Sequence, residues 1–135
     1  MIIDYLAVLS DAQAVTAAAA STNVLDTLVA GRAMNENAKF QFLVDTTALA
    51  AGGASNVTFA IQDSADNSTY ATVVASPAIA KATLVAGYVA FECVVPKGLR
   101  RYVRAYYTPD TNDLTAGKFD CRLVLDTDYQ LDRGL

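Results

Sequence analysis

The chain has 135 residues, 53% of them hydrophobic and 18% charged, with a net charge of -4 and neither histidine nor tryptophan. That length suits one domain that buries well over half of its unfolded surface. The charge excludes nucleic-acid binding over a broad face, which needs clustered Lys and Arg. The missing histidine removes Ser-His and Cys-His pairs and imidazole metal sites.

The chain opens MIIDYLAVLS. It lacks the basic region of a secretory signal, is interrupted by Asp4, and is too short to span a bilayer, so no membrane association is expected and synthesis in the cytoplasm is. Residues 1–9 form a possible extended arm. Next comes SDAQAVTAAAASTNVLDT, Ser10 to Thr27. Its alanines favour helix, and Ser10 with Gln13 could form a capping box. The β-branched Val15, Thr16, Thr22 and Val24, in a chain of strands, favour extended structure instead.

From there the period is close to two. Strands are predicted at KFQFLVDT from Lys39, NVTFAIQD from Asn56, TYATVVAS from Thr69 and YVAFECVV from Tyr88, with a short one at ATLVAG from Ala82. KFDCRLVLD from Lys118 sets Phe119, Cys121, Leu123 and Leu125 against Lys118, Asp120 and Arg122. Turn chemistry separates them at AGGAS, DSADNST, PKG and TPDTND. Many short strands with frequent turns predict an all-β, antiparallel sandwich or barrel in a single domain over residues 1–135. Residues 127–135 form a second possible arm.

Little of this supports catalysis. Paired carboxylates remain, Asp126 with Asp128 and Asp63 with Asp66, but acids at strand ends and in loops usually cap turns. DSADNST lacks the spacing and closing glutamate of a calcium loop. Cys93 and Cys121 sit on apolar phases as buried thiols and cannot complete a four-ligand zinc site. They would form a disulfide only if their strands were neighbours. The expectation is no enzyme, no cofactor and no metal.

The unusual stretch is GLRRYVRAYYT, Gly98 to Thr108, with three arginines and three tyrosines. As a strand it points Tyr102, Arg104 and Tyr106 one way and Arg101, Val103, Ala105 and Tyr107 the other. Pairing with the Lys118 strand would place Arg104 beside Asp120, a solvated ion pair of little energetic weight. The alternative is a protein interface, where Tyr and Arg are the enriched anchors. An RNA platform uses the same residue types, but the net acidity argues against it.

Three blocks carry a family resemblance: LSDAQAVTAAAASTNVLD, NVTFAIQDSADNSTYATV and PKGLRRYVRAYYTPDTNDLTAGKFDCRLVLD. In that order they resemble the jelly-roll capsid cement (decoration) proteins of short-tailed bacteriophages of the Bordetella-phage type. The P-x-G-L-R-R-Y-x-R strand followed by T-A-G-K is the most specific piece. The resemblance implies a jelly-roll sandwich on the outer surface of the virion, bound to the phage major capsid protein after shell expansion and clamping its neighbours. It also implies a homo-oligomer, a homodimer before a homotrimer. The candidate capsid or oligomer contacts are Arg100, Arg101, Tyr102, Arg104 and Tyr106, with Ile2, Ile3 and Tyr5 at the start and Tyr129, Leu131 and Leu135 at the close. The rival function is a carbohydrate- or receptor-binding sandwich displayed on a phage particle.

Overall fold

The computed structural model describes residues 3–28, 38–50, 55–110 and 113–124, with side chains from residue 8 onward. The strands are β1 (Ile3–Ala14), β2 (Ala19–Ala20), β3 (Leu25–Asp26), β4 (Lys39–Ala50), β5 (Asn56–Ser64), β6 (Ala71–Ala75), β7 (Ile79–Ala80), β8 (Val89–Val94), β9 (Tyr102–Pro109) and β10 (Leu114–Val124). They form two antiparallel sheets, one in the order β1-β10-β4-β8, the other β2-β9-β5-β6 with β3 also on β9 and β7 also on β5. Counting β2 with β3 and β6 with β7 as interrupted strands gives two four-stranded sheets, an arrangement compatible with the expected jelly roll.

Alternation builds the core. Phe40, Phe42 and Val44 on β4 and Phe119 and Cys121 on β10 turn inward from the first sheet; Val57, Phe59 and Ile61 on β5 and Val103, Ala105 and Tyr107 on β9 turn inward from the second. Four rings lock the sheets together. The ring of Phe59 meets Phe42 at 5.4 Å and Phe119 at 5.3 Å, and Tyr107 stacks on Phe119 at 5.6 Å and meets Phe42 edge-on at 5.9 Å. Burying each such side chain contributes about 1.5–3 kcal/mol, and tilted aromatic pairs add to that. The buried Tyr107 hydroxyl donates to Ser10 Oγ at 2.8 Å, so the one polar atom of this cluster is satisfied.

The Ser10–Thr27 segment is extended, against its alanine propensity. Its backbone donors go to other strands: Val15 N to Gly117 O, Ser21 N to Ala105 O, Asn23 N to Leu9 O and Thr27 N to Arg101 O. The two capping candidates do bond each other, Ser10 Oγ donating to Gln13 Oε1 at 2.8 Å, but within β1. Gln13 then works as a staple. Its Oε1 also accepts from Thr22 N and Thr22 Oγ1, while its Nε2 donates to Ala20 O. Burial of Val15 and these long-range bonds outweigh a helix preference worth tenths of a kcal/mol per residue.

Two expectations are corrected. Ala82–Gly87 is not a strand but a pair of turns, closed by Thr83 N to Ala80 O, Leu84 N to Lys81 O and Tyr88 N to Val85 O. Gly87 takes a φ of 89°, and Leu84 plugs the core, so its apolar signal is that of a single anchor. β9 and β10 do not pair either. Both edges of β9 are taken, by β5 along its length and by β2 and β3, whereas β10 lies between β1 and β4 in the opposite sheet. The chain therefore changes sheet between β9 and β10, and both strands bury an apolar face. Arg104 and Asp120 consequently occupy different sheets and cannot pair.

β4 also separates β8 from β10, with Phe40 opposite Cys93 and Phe42 opposite Cys121, so the cysteines are free thiols. Burial pushes the Cys121 thiol well above its usual range, whereas Cys93, expected to be buried as well, is only half-buried on the outermost strand β8. Of the predicted arms, residues from Ile3 onward belong to β1, where Ile3 opposes Val124, and residues 127–135 lie outside the described residues.

Candidate protein interface

The outward phase of β9 carries Tyr102, Arg104 and Tyr106, as its alternation requires, because Val103, Ala105 and Tyr107 are buried. The three arginines nevertheless have different uses. Arg100 lies just before β9 and clamps Asp63 on β5. Its Nε and Nη2 donate to Asp63 Oδ1 at 3.1 and 2.8 Å, Nη2 also to Asp63 O, and its backbone N to Oδ2. The Asp63 side chain is only 9% exposed. Burial alone would raise its pKa, but the hydrogen bonds from Arg100 hold it below the usual carboxylate value. This pair fixes the start of β9 to the end of β5.

Arg101 ties the same place to β3. Nε and Nη2 reach Asp26 Oδ1 and Oδ2 at 2.8 and 3.0 Å, and Thr27 N and Oγ1 both donate to Arg101 O. The Asp26 carboxyl is held low by Arg101 and by the Leu28 N–H. Both partners of this fork are more than a third exposed, so it orients more than it stabilises.

Arg104 has no carboxylate partner among the described residues. Its Nε donates to Gln62 Oε1 on β5 at 2.9 Å, and Gln62 Nε2 passes the chain on to Thr72 Oγ1 on β6. The register explains this row, since Arg104 opposes Gln62 and Gln62 opposes Thr72. The guanidinium carbon lies 3.8 Å from the Tyr70 ring centroid and 5.4 Å from that of Tyr106, so the cation rests between two aromatic faces. Tyr70 is steered by its hydroxyl, which donates to Asn67 Oδ1. Asn67 adopts a φ of 59° in the turn that Asp66 closes by accepting from Ser68 N and Thr69 N. DSADNST is thus a turn that aims Tyr70.

Stacking, the Nε bond and two flanking strands leave Arg104 little rotamer freedom. Among the described residues neither Nη takes part in a hydrogen bond, so the outer end of the fork is a set of oriented donors. The patch can recognise an anion or a planar group, and it can stack. No group of three or more potential metal ligands occurs among the described residues.

The sequence therefore located Tyr102, Arg104 and Tyr106 on one face, and the structure reassigns Arg100 and Arg101 to intramolecular clamps. It adds Tyr70 and Gln62, which the reading of β9 alone missed. The outward phase of NVTFAIQD already offered Gln62, but nothing local put it opposite Arg104. Ile3 and Tyr5 lie on the edge strand β1; Ile2, Tyr129, Leu131 and Leu135 fall outside the described residues.

No match is found among curated proteins. The family model Bbp16 matches residues 9–123, from the middle of β1 through nearly all of β10, and so spans every element that builds the patch. The chain belongs to the Bbp16 family, whose name points to a Bordetella phage protein.

Proposed function

We propose that the protein is a capsid cement protein, which binds the outer surface of the expanded icosahedral shell and clamps neighbouring copies of the major capsid protein. The observation that carries this reading is the Arg104 patch: an oriented cation against two tyrosines, with both Nη groups unused among the described residues, on the outer face of a braced sheet. Tyr and Arg at such a place are typical anchors of protein interfaces. Family membership and the resemblance of the three sequence blocks support the same reading. The role is non-catalytic and needs no cofactor. The protein is made in the host cytoplasm and acts on the virion surface.

A protein that binds the assembled shell and not its separated subunits stabilises the shell by linkage, and many copies multiply the effect. Self-association belongs to the proposal. Among the described residues β8 is an edge strand with Val89 and Val94 exposed, flanked by exposed Val85 and Tyr88, and it carries no Lys or Pro to blunt it. An antiparallel edge can pair with itself about a two-fold axis, which favours a dimer over a trimer.

Co-sedimentation with expanded capsids that lack the protein, beside unexpanded procapsids, tests the reading. Saturable binding to expanded shells alone is expected. Binding to neither sinks it and favours a displayed carbohydrate- or receptor-binding module.

A further inference from the structure

The donors left over at Arg104 define what the patch would take. A guanidinium can grip a carboxylate along two edges, through Nε with one Nη or end-on through both Nη atoms. At Arg104 the first edge is committed to Gln62 Oε1, which leaves the end-on fork facing outward. Neighbouring carboxylates are occupied: Asp63 by Arg100, Asp26 by Arg101, and Asp66 by Ser64 Oγ and the backbone of its own turn. The Tyr70 and Tyr106 rings hold the half-buried cation in place, 3.8 and 5.4 Å from their centroids. The ligand that fits this fork is thus a planar anion.

We infer that Arg104 receives an Asp or Glu side chain of the docked protein partner, bound end-on by Nη1 and Nη2 between Tyr70 and Tyr106. This rests on the docking function proposed above and adds the chemistry of the contact. Charge complementarity selects a carboxylate on a protein over a nucleic-acid phosphate. The chain is acidic overall at -4, and Arg100 and Arg101, the other arginines of the Gly98–Thr108 stretch, are each paired with an aspartate. Of the three arginines of Gly98–Thr108, a polyphosphate backbone would meet one without an ion pair among the described residues; a single carboxylate needs only one.

The test is a two-by-two binding cycle. Wild type and Arg104→Gln are each titrated onto expanded shells that lack the protein, either untreated or with surface carboxylates amidated by carbodiimide and glycinamide, with shell integrity checked by electron microscopy. Amidation should weaken wild-type binding roughly tenfold or more, as loss of one partner of a desolvated charge pair does. Arg104→Gln should lose a similar factor on untreated shells and lose little more on amidated ones, because the two changes remove the same bond. Arg104→Lys should recover only part of the loss, since an ammonium cannot reproduce the planar fork.

Independent, multiplying losses would overturn the carboxylate contact while leaving the cement function standing, as would wild-type binding indifferent to amidation. Competition by single-stranded oligothymidylate with no effect of amidation would overturn it in favour of a phosphate ligand. Failure of wild type to bind untreated expanded shells would overturn the function and the contact together.

Discussion

Arg104 and Arg122 occupy corresponding places on the two outer faces of the sandwich, and they differ in what surrounds them. Each donates Nε to a glutamine on the neighbouring strand, Arg104 to Gln62 at 2.9 Å and Arg122 to Gln41 at 3.2 Å. Arg122, however, shares the outward phase of β10 with Asp120, and its charge helps to offset the burial that raises the Asp120 pKa. Arg104 shares the outward phase of β9 with Tyr102 and Tyr106 and is stacked by Tyr70. Alternation alone puts a cation and a glutamine on each face. Neither cation has an ion pair among the described residues; the neighbours decide whether it offsets a half-buried carboxylate, as Arg122 does for Asp120, or lies against aromatic rings, as Arg104 does.

The sharpest way to break this comparison is charge reversal. Arg104→Glu should weaken binding to expanded shells about a hundredfold, by repelling the acidic partner as well as losing the bond, with an unchanged melting temperature. Arg122→Gln should leave shell binding as in wild type. Equal losses from both variants, measured by co-sedimentation, would erase the distinction between the faces.

Next in size is the clamp beneath the patch. Asp63→Ala should cost about 2 kcal/mol of folding stability, since it leaves Arg100 without the carboxylate that its side chain and backbone both bond. The sign of its pH dependence follows from the depressed Asp63 pKa. The stabilisation is present above the ordinary value of 3.8 and is lost as pH falls through the lower folded-state value. Wild type and variant should therefore converge in strong acid in a thermal-melt series. A gap that persists there would assign the loss to packing instead.

Tyr70→Ala sharpens the comparison at the level of stacking. It removes the nearer aromatic face from Arg104 and should weaken shell binding about fivefold, in line with roughly 1 kcal/mol for an exposed cation–π contact, with little change in stability. A fall in melting temperature with undiminished binding would make Tyr70 a structural residue.

The smallest effect belongs to the other face. Asp120 accepts the Ala12 N–H, but burial raises its pKa, so the ionised form is disfavoured in the fold. That penalty is present above the raised value and absent below 3.8, the opposite of Asp63. Asp120→Asn, which keeps an acceptor, should raise the melting temperature by about a degree at neutral pH, consistent with the few tenths of a kcal/mol typical of partly exposed sites, and not at all in strong acid. A drop at neutral pH would mean that the charge itself is required.

Much of the fold was legible because alternation is a local signal. Phe59, Tyr107 and Phe119 had to face a core wherever their strands lay, and Tyr102, Arg104 and Tyr106 had to face away from it. The period of two therefore determined the class of fold, most of the buried set and one candidate face, but not the depth of β8, whose Val89 is exposed. It also suggested a strand at Ala82–Gly87, because an isolated core anchor such as Leu84 reads like a short apolar run.

Strand order is another matter, since it depends on which edges are free once all strands are present. Consecutive strands β9 and β10 look like a hairpin, yet each has both edges filled by strands distant in sequence. The same long-range pairing turned Ser10–Thr27 from a helix candidate into a bonded segment and spent Arg100 and Arg101 on Asp63 and Asp26. Only the register of β9 against β5, with Tyr70 leading into β6, set Gln62 and Tyr70 around Arg104. Residue types and their alternation were determined by the sequence itself. Which arginine keeps its donors for a partner was decided by tertiary structure, because a guanidinium is neutralised by whatever carboxylate the packing brings within reach.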